Sequence, residues 1–313
     1  MKSVLFIINP HSGKNRNKQV QKTAMEVLPP DAFTVDFVFT HYAGHALELS
    51  RMGVAKGYDI IVAVGGDGTI HEVSQSVIHS NSALAVIPMG SGNGFARFFC
   101  IPSAVKRAIK VIAEGEEKVI DTVLCNSEYF VNVAGFGFDA QIGEVYDKSC
   151  AEERGGLNYV KLIVEEFLQY PLQTCRFKID GKETEKTFFI ATVANSNQYG
   201  LNAVIAPEAD VTDGKFELVL MRDLPVFDVI PTTIRLFAKQ INNSRYVETL
   251  HLEEFTIVNN VPRLLHLDGE PRMYATDITF TIQKKSLKCI VPKKENLLKS
   301  LSTIKLPIQS IKK

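Results

Sequence analysis

No stretch of this 313-residue sequence approaches the roughly 18 consecutive apolar residues that a membrane-spanning helix requires, which predicts a chain that is soluble or at most surface-bound. The 20 Gly and 13 Pro follow no fixed period, so collagen-like and low-complexity classes are excluded. CxxC and HExxH are both absent, which argues against a zinc site. His41 and His45 share helical spacing, but no third ligand is in view. Five cysteines, an odd number, do not suggest a disulfide framework; Cys100, Cys125, Cys150 and Cys175 recur every 25 residues, yet their flanks share nothing. Val4 to Ile8 is too brief for a signal-peptide core, and the expected location is cytoplasmic.

Net charge is also lacking, since 35 basic residues balance 35 acidic ones. The balance hides a gradient. Residues 1–122 carry 12 Lys+Arg against 11 Asp+Glu (+1), residues 123–282 carry 14 against 23 (−9), and residues 283–313 carry 9 against 1 (+8). A basic tail of this kind can meet anionic headgroups or fold back on the acidic middle. The basic residues lack an aromatic-interleaved platform, so nucleic-acid binding is not expected.

What is present begins with alternation. SVLFII, FTVDFVF, YDIIVAV, LAVIP and VIDTVL read as buried strands, separated by helical stretches at 15–28, 44–56, 69–79 and 103–113. This predicts a doubly wound α/β domain over residues 1–122, with ligands gathered at the carboxyl ends of its strands. Beyond it, EYFVNVAGF, CRFKID, KTFFIATVAN, KFELVLM, VETLHLEEFTIV, RLLHL and DITFTIQ predict an antiparallel β domain over 123–291. Helical stretches interrupt it at 157–169 and 225–240, and a last helix at 293–301 is expected to bring segment 292–313 back onto the first domain.

Three loops follow strands and precede helices. Asn9-Pro10-His11-Ser12-Gly13-Lys14 is a turn of backbone N–H groups with one mobile cation, compatible with a phosphate or with an ordinary strand-to-helix connection. Gly65-Gly66-Asp67-Gly68-Thr69 places three glycines around a carboxylate. There a polyphosphate can approach the backbone and Asp67 can hold hydrated Mg²⁺, while Thr69 and Glu72 read as a capping box. Pro88 to Ala96, PMGSGNGFA, repeats the arrangement.

In this order NPHSGK, GGDGTIHEV and PMGSGNGFA resemble the nucleotide-site motifs of the diacylglycerol kinase catalytic-domain family of lipid kinases, which also includes sphingosine and ceramide kinases. THYAGHA (40–46), GFGFDA (135–140), APEADVTDGKFEL (206–218) and LDGE (267–270) extend the resemblance over nearly the whole chain. It implies an ATP-binding α/β domain and a β-sandwich domain with the active site between them. ATP and Mg²⁺ are the implied cofactors, with Asn9, Ser12, Gly13, Lys14, Thr40, Gly65, Gly66, Asp67, Gly68, Thr69, Gly90, Ser91, Gly92 and Asn93 at the nucleotide site.

Asp268 matches the family's general base and Glu270 its acidic partner in the Mg²⁺ network; by itself Asp268-Gly269 also reads as a hairpin turn. The implied metal residues are Asp67, Glu270 and, for a structural ion, Asp213, with Asp121 a further acidic position; Asp139 is read as closing a turn. Gly94 departs from the Asp of many bacterial diacylglycerol kinases and follows sphingosine and ceramide kinases, which leaves the acceptor open.

The expected activity is transfer of the ATP γ-phosphoryl group to a lipid hydroxyl, diacylglycerol or a relative first and a sphingoid base second. An NAD kinase-like enzyme and a silent ATP-binding regulator are the alternatives. Peripheral membrane contact is expected through Lys14, Arg16, Lys18, Lys22 and the basic tail, and a homodimer is left open.

Overall fold

A computed structural model describes residues 1–13, 16–138, 170–200, 202–259 and 261–293. Four parallel strands open the chain: β1 (Lys2–Ile8), β2 (Phe33–Phe39), β3 (Ile60–Gly65) and β4 (Ala83–Pro88), side by side in the order β2-β1-β3-β4. With them come α1 (Val20–Val27), α2 (His45–Ala55), α3 (Asp67–Val77), α4 (Gly94–Phe98) and α5 (Val105–Glu114). IIVAVG of β3 and ALAVIP of β4 are buried at every residue, as parallel strands covered on both faces must be.

From β5 (Glu116–Cys125) onward the pairing turns antiparallel, except where the last strand meets β4. β6 (Glu128–Phe130), β7 (Val133–Gly137), β8 (Gln173–Ile179), β9 (Lys182–Phe188), β10 (Ile190–Ala194), β11 (Gln198–Gly200), β12 (Ala203–Val204) and β13 (Phe216–Met221) precede α6 (Val226–Phe237). After it come β14 (Val247–Leu252), β15 (Glu254–Val258), β16 (Arg263–Leu267), β17 (Glu270–Tyr274) and β18 (Ile278–Val291). One sheet runs β14-β13-β10-β7-β16-β17; the other continues from β4 through β18, β15, β8 and β9, with β5 beside β18 and β6 beside β5.

Phe130, Phe136, Phe177, Phe188, Phe255 and Phe280 fill the space between the sheets, and Phe255 stacks on Phe280 at 4.9 Å between centroids. Burial of each such ring contributes about 1.5–3 kcal/mol. The architecture is therefore an α/β unit joined to a β-sandwich.

β18 makes the joint. Thr279 to Thr281 pair with β15 in the sandwich, while Lys288 and Cys289 pair in parallel with β4. The sequence pattern predicts a strand only over DITFTIQ, because the apolar alternation stops at Gln283-Lys284-Lys285. That is where the register shifts, with Lys285 at φ +52°. The alternation breaks because the strand bulges, and it resumes to Val291. Residue 122 lies inside β5. The helix expected at 157–169 and almost all of the expected 293–301 helix fall outside the described residues.

Candidate active site

The three glycine-bearing loops leave the carboxyl ends of β1, β3 and β4, which are neighbours, so strand order alone gathers them. Asn9 N–H donates to Val64 O (2.9 Å), its Oδ1 accepts from His11 N–H, and its Nδ2 lies 3.4 Å from Thr69 Oγ1. Ser12 N–H closes the turn on Asn9 O (3.3 Å). Gly13 has φ +79°, and an added Cβ there would sit 2.9 Å from Met89 Sδ. Buried Thr40, just past β2, donates its N–H to Ile8 O (2.9 Å). Lys14 lies outside the described residues.

Gly66 and Gly90 bring the second and third loops into backbone contact: a Cβ on Gly90 would stand 2.8 Å from Gly66 Cα. Ser91 is exposed at the tip of that third loop. A Cβ on Gly92 would stand 2.8 Å from Asp67 Oδ2. Asn93 donates through Nδ2 to Gly90 O (2.6 Å), and its buried Oδ1 has no partner among the described residues. An orphaned acceptor in a glycine-lined crevice suits a ligand donor.

Asp67 binds in a way the motif does not announce. Its Oδ2 accepts from Asn93 N–H (2.7 Å) and its Oδ1 from Gly94 N–H (2.9 Å), so it holds the start of α4. Burial raises its carboxyl to about 6 against those two bonds, with help from the charge of Asp268.

The expected capping box does not form. Helix α3 begins at Asp67 behind Gly66, which places Thr69 inside the first turn, and Glu72 instead accepts from Gly44 N–H (2.8 Å) and Ala46 N–H (3.0 Å) at the start of α2. A glycine N-cap offers no side chain for the box to close on. Glu72 caps the neighbouring helix.

The β16–β17 hairpin brings the late motif to these loops. Leu267 pairs with Glu270, and the central Asp268 (φ +53°) and Gly269 (φ +92°) are both left-handed, as a type I′ turn demands. The hairpin reading of Asp-Gly is thus satisfied by the same two residues that enter the site. Asp268 is buried and its carboxylate is saturated. Oδ1 accepts from Asn132 N–H (2.8 Å) and Val133 N–H (3.2 Å), while Oδ2 accepts from Val131 N–H (3.0 Å) and lies 3.1 Å from His71 Nδ1. Glu270 lies against Gly68 closely enough that a Cβ there would collide with its Oε1.

His71 joins the two units and was not singled out by sequence reasoning. Its Nε2 is 2.9 Å from Glu128 Oε1, and Glu128 in turn is held by Arg272 through Nε (2.9 Å) and Nη2 (2.7 Å). Burial alone would lower His71, but the hydrogen bonds its ring donates to Asp268 and Glu128 outweigh it and lift the ring to about 9; hydrogen bonds accepted from His71 and Arg272 likewise overcome burial and hold Glu128 at about 2. One turn further along α3, Gln75 brackets the backbone of Tyr129.

The available signal was the i, i+4, i+8 run Asp67, His71, Gln75, which sets three polar residues on one face of a mostly buried helix. Because the folded pKa of His71 lies above its unfolded value of about 6.5, its stabilisation is complete below that pH and is lost as pH rises through about 9. We expect His71→Asn to flatten the fall in melting temperature between pH 7 and pH 9.5, measured by calorimetry.

Asp213 and Asp121 belong to a second cluster. Asp213 Oδ1 accepts from Lys215 N–H (2.9 Å), which closes the turn, and Asp121 accepts from Gly214 N–H (2.8 Å) and Lys285 N–H (2.6 Å), pinning that turn to the β18 bulge. Beside them Glu217, also missed in the sequence, is buried with no hydrogen bond to either carboxylate oxygen among the described residues, and its Oε1 lies 3.7 Å from His251 Nδ1. Burial and the charges of Glu208 and Asp213 raise it to about 7. Among the described residues no group of three His, Cys, Asp or Glu side chains is placed to hold a metal ion by itself. Asp139 lies outside them.

Gly94 has a geometric reason. A Cβ there would collide with Asn132 Nδ2 and stand 2.7 Å from the carbonyl oxygen of Tyr199, so the space an Asp would need is taken. Gly200, at φ +144°, presses β11 against the backbone of Gly92 in the same way. The sandwich therefore closes directly on the third loop.

Comparison with known proteins agrees with this geometry. Residues 3–125 match the diacylglycerol kinase catalytic domain, and residues 132–291 match the YegS C-terminal NAD kinase beta sandwich-like domain. A diacylglycerol kinase of Bacillus subtilis (strain 168) is 26% identical over 274 residues, covering 86% of this chain and 90% of that protein. A Yersinia enterocolitica protein named "Probable lipid kinase YegS-like" is 25% identical over 303 residues, covering 95% of this chain and 100% of its own. The fold matches the crystal structure of a diacylglycerol kinase from Bacillus anthracis str. Sterne with a TM-score of 0.70 at 18% identity, over 93% of this chain and 97% of that one. With both domains matched in order and the glycine loops meeting the Asp-Gly-Glu hairpin, the chain belongs to the diacylglycerol kinase family, phosphotransferases that take an alcohol group as acceptor.

Proposed function

We propose that the protein transfers the γ-phosphoryl group of ATP, with Mg²⁺, to a hydroxyl of a membrane-derived lipid, diacylglycerol or a close relative first and a sphingoid base second. The observation that supports this reading is the meeting of the β16–β17 turn with the loop after β3, which sets Glu270 against Gly68 and Asp268 beside the α3 that Asp67 begins. Asn9, Ser12, Gly13, Lys14, Thr40, Gly65, Gly66, Gly68, Thr69, Gly90, Ser91, Gly92 and Asn93 line or border the nucleotide crevice in this proposal. Backbone N–H groups and the start of α3 face the phosphates.

Asp67 and Glu270 fit a hard cation, since Mg²⁺ takes one or two carboxylates and completes its shell with phosphate and water. The raised carboxyl of Asp67 reports an acidic, desolvated place that positive charge would relieve. When bound, the ion neutralises charge on the β- and γ-phosphates. Asp213 is assigned to a separate, structural position.

Asp268 receives the hydroxyl proton in this scheme, and phosphoryl transfer through a loose transition state asks little base strength of it. Its four hydrogen bonds mean that an acceptor hydroxyl must displace a donor, and the 3.2 Å bond from Val133 N–H is the longest. That saturation favours one second reading, in which Asp268 orients the loop 131–133 and the half-exposed Glu270 takes the proton.

Lys18 and Lys22 are exposed and are assigned to membrane contact at the cytoplasmic face, together with Lys14, Arg16 and the basic tail. No helix among the described residues is long and apolar enough to cross a membrane. The reading is tested by offering γ-labelled ATP and Mg²⁺ with diacylglycerol, monoacylglycerol, sphingoid base, ceramide and NAD in mixed micelles. Label in one lipid names the acceptor; label in NAD alone overturns the proposal.

A further inference from the structure

Helix α6 is apolar on two opposite faces. At about 100° per residue, Phe227, Ile230, Ile234 and Phe237 fall within an arc of about 80°, and Val229, Thr232 and Leu236 fall opposite. The second stripe is accounted for: Val229 and Leu236 pack on the cluster of Val133, Ala194, Ile205, Ala206, Val219 and Met221. The first stripe faces solvent. Phe227 is 93% exposed, and Val226, Ile230, Ile234 and Phe237 are each more than half exposed. A helix apolar all round is normally buried all round.

The charge beside this stripe selects its occupant. Between Arg222 and Tyr246 the chain carries Arg222, Arg235, Lys239 and Arg245 against Asp223 and Asp228, a surplus of +2 inside a region that is otherwise acidic. Arg222 is taken by Glu248 and Arg245 by Asp228, whereas Arg235 and Lys239 make no ion pair among the described residues. Aromatic and aliphatic side chains in a row, beside cations that hold no close carboxylate, with Arg235 reaching Asp228 only through its field, are the composition of a helix that lies in a membrane interface.

Self-association fits less well, because a helix of 12 residues presents a footprint of roughly 18 by 10 Å, far below the ~800 Å² per partner of a stable interface. Position agrees too, since the inner stripe rests on the cluster containing Val133, whose N–H is bonded to Asp268.

We propose that the outer face of α6 is the apolar surface by which the protein inserts into an anionic lipid bilayer, beyond the long-range attraction assigned above to the lysines of the first unit, with Phe227, Ile230, Ile234 and Phe237 among the acyl chains while Arg235 and Lys239 meet the headgroups. The proposal rests on the lipid-kinase reading for its purpose, but not for its test. Flotation with phosphatidylglycerol-containing vesicles compares the native protein with Phe227→Ser/Ile230→Ser/Ile234→Ser, whose melting temperature should match or exceed the native value because only exposed apolar atoms are removed. Vesicle partitioning of the triple variant is expected to fall about 100-fold, and that of Arg235→Glu/Lys239→Glu to fall at low salt only.

Turnover of diacylglycerol held in vesicles should drop with partitioning, while turnover of a short-chain diacylglycerol below its micellar concentration stays unchanged. Native-like flotation of the triple variant overturns the proposal, as does a native dimer that the triple variant alone dissolves while flotation persists. Loss of flotation together with no phosphorylation of any lipid by either protein upholds docking and instead defeats the kinase reading.

Discussion

Asp268→Asn is expected to lower kcat by about 10²- to 10⁴-fold, the usual contribution of a positioned base, while the affinity for ATP changes by no more than a few-fold. Asparagine tolerates the left-handed backbone that Asp268 adopts, so the turn survives. Its amide nitrogen cannot accept, however, and would face N–H donors of residues 131–133 or His71. The expected cost in stability is about 1–3 kcal/mol. Rates must therefore be normalised to folded protein.

Glu270→Gln separates the two readings of the acidic pair. If Glu270 serves the metal, its loss is offset by raising Mg²⁺, and that of Asp268 is not. If Glu270 is the base, the pattern reverses: Glu270→Gln loses turnover at every Mg²⁺ concentration and Asp268→Asn loses mainly stability.

Gly94→Asp carries the second large effect, because it places a carboxylate side chain at a position this chain has closed. The new Cβ would overlap Asn132 Nδ2 and approach the Tyr199 carbonyl to 2.7 Å. The latter is backbone and cannot rotate away. Asn132 is itself fixed, since its N–H bonds Asp268 and its Nδ2 bonds Gln198 O (3.0 Å). Overpacking of this kind costs typically 1–3 kcal/mol, or roughly 2–12 °C in melting temperature for a domain of 150–250 residues. Gly94 N–H also anchors Asp67, so displacement of the loop should raise the KM for ATP by at least about tenfold with kcat falling alongside. Gly94→Ala isolates the steric part. An Asp variant that melts and turns over like the native protein would show that β11 gives way freely.

Much of this arrangement was legible before any coordinates. The parallel strands are runs such as IIVAV that are apolar at every position, and the loops after them carry the glycines that close backbone approach requires. The strand-rich second half with its late Asp-Gly-Glu was equally plain.

What escaped has physical causes. The bulge at Lys285 interrupts the two-residue period, so the second half of β18 looked like the end of a strand, and with it went the link between the two units. Glu72 satisfied a sequence rule for its own helix and a spatial one for α2, and only the fold decides between them. His71 sat inside a glycine motif whose chemistry was credited to Asp67, while its partners Glu128 and Asp268 lie 57 and 197 residues away. The carboxylate of Glu217 looked like an ordinary polar position on a strand until both its faces proved buried.

The most direct measurement gives the native protein γ-labelled ATP, Mg²⁺ and vesicles with or without diacylglycerol or a sphingoid base, then counts label in the organic phase and as inorganic phosphate. Crevice, hairpin and the carboxylates assigned to the metal together predict organic-phase label that appears only when a lipid hydroxyl is supplied. Release of inorganic phosphate at the same rate with and without lipid, and no label in the organic phase, would contradict it.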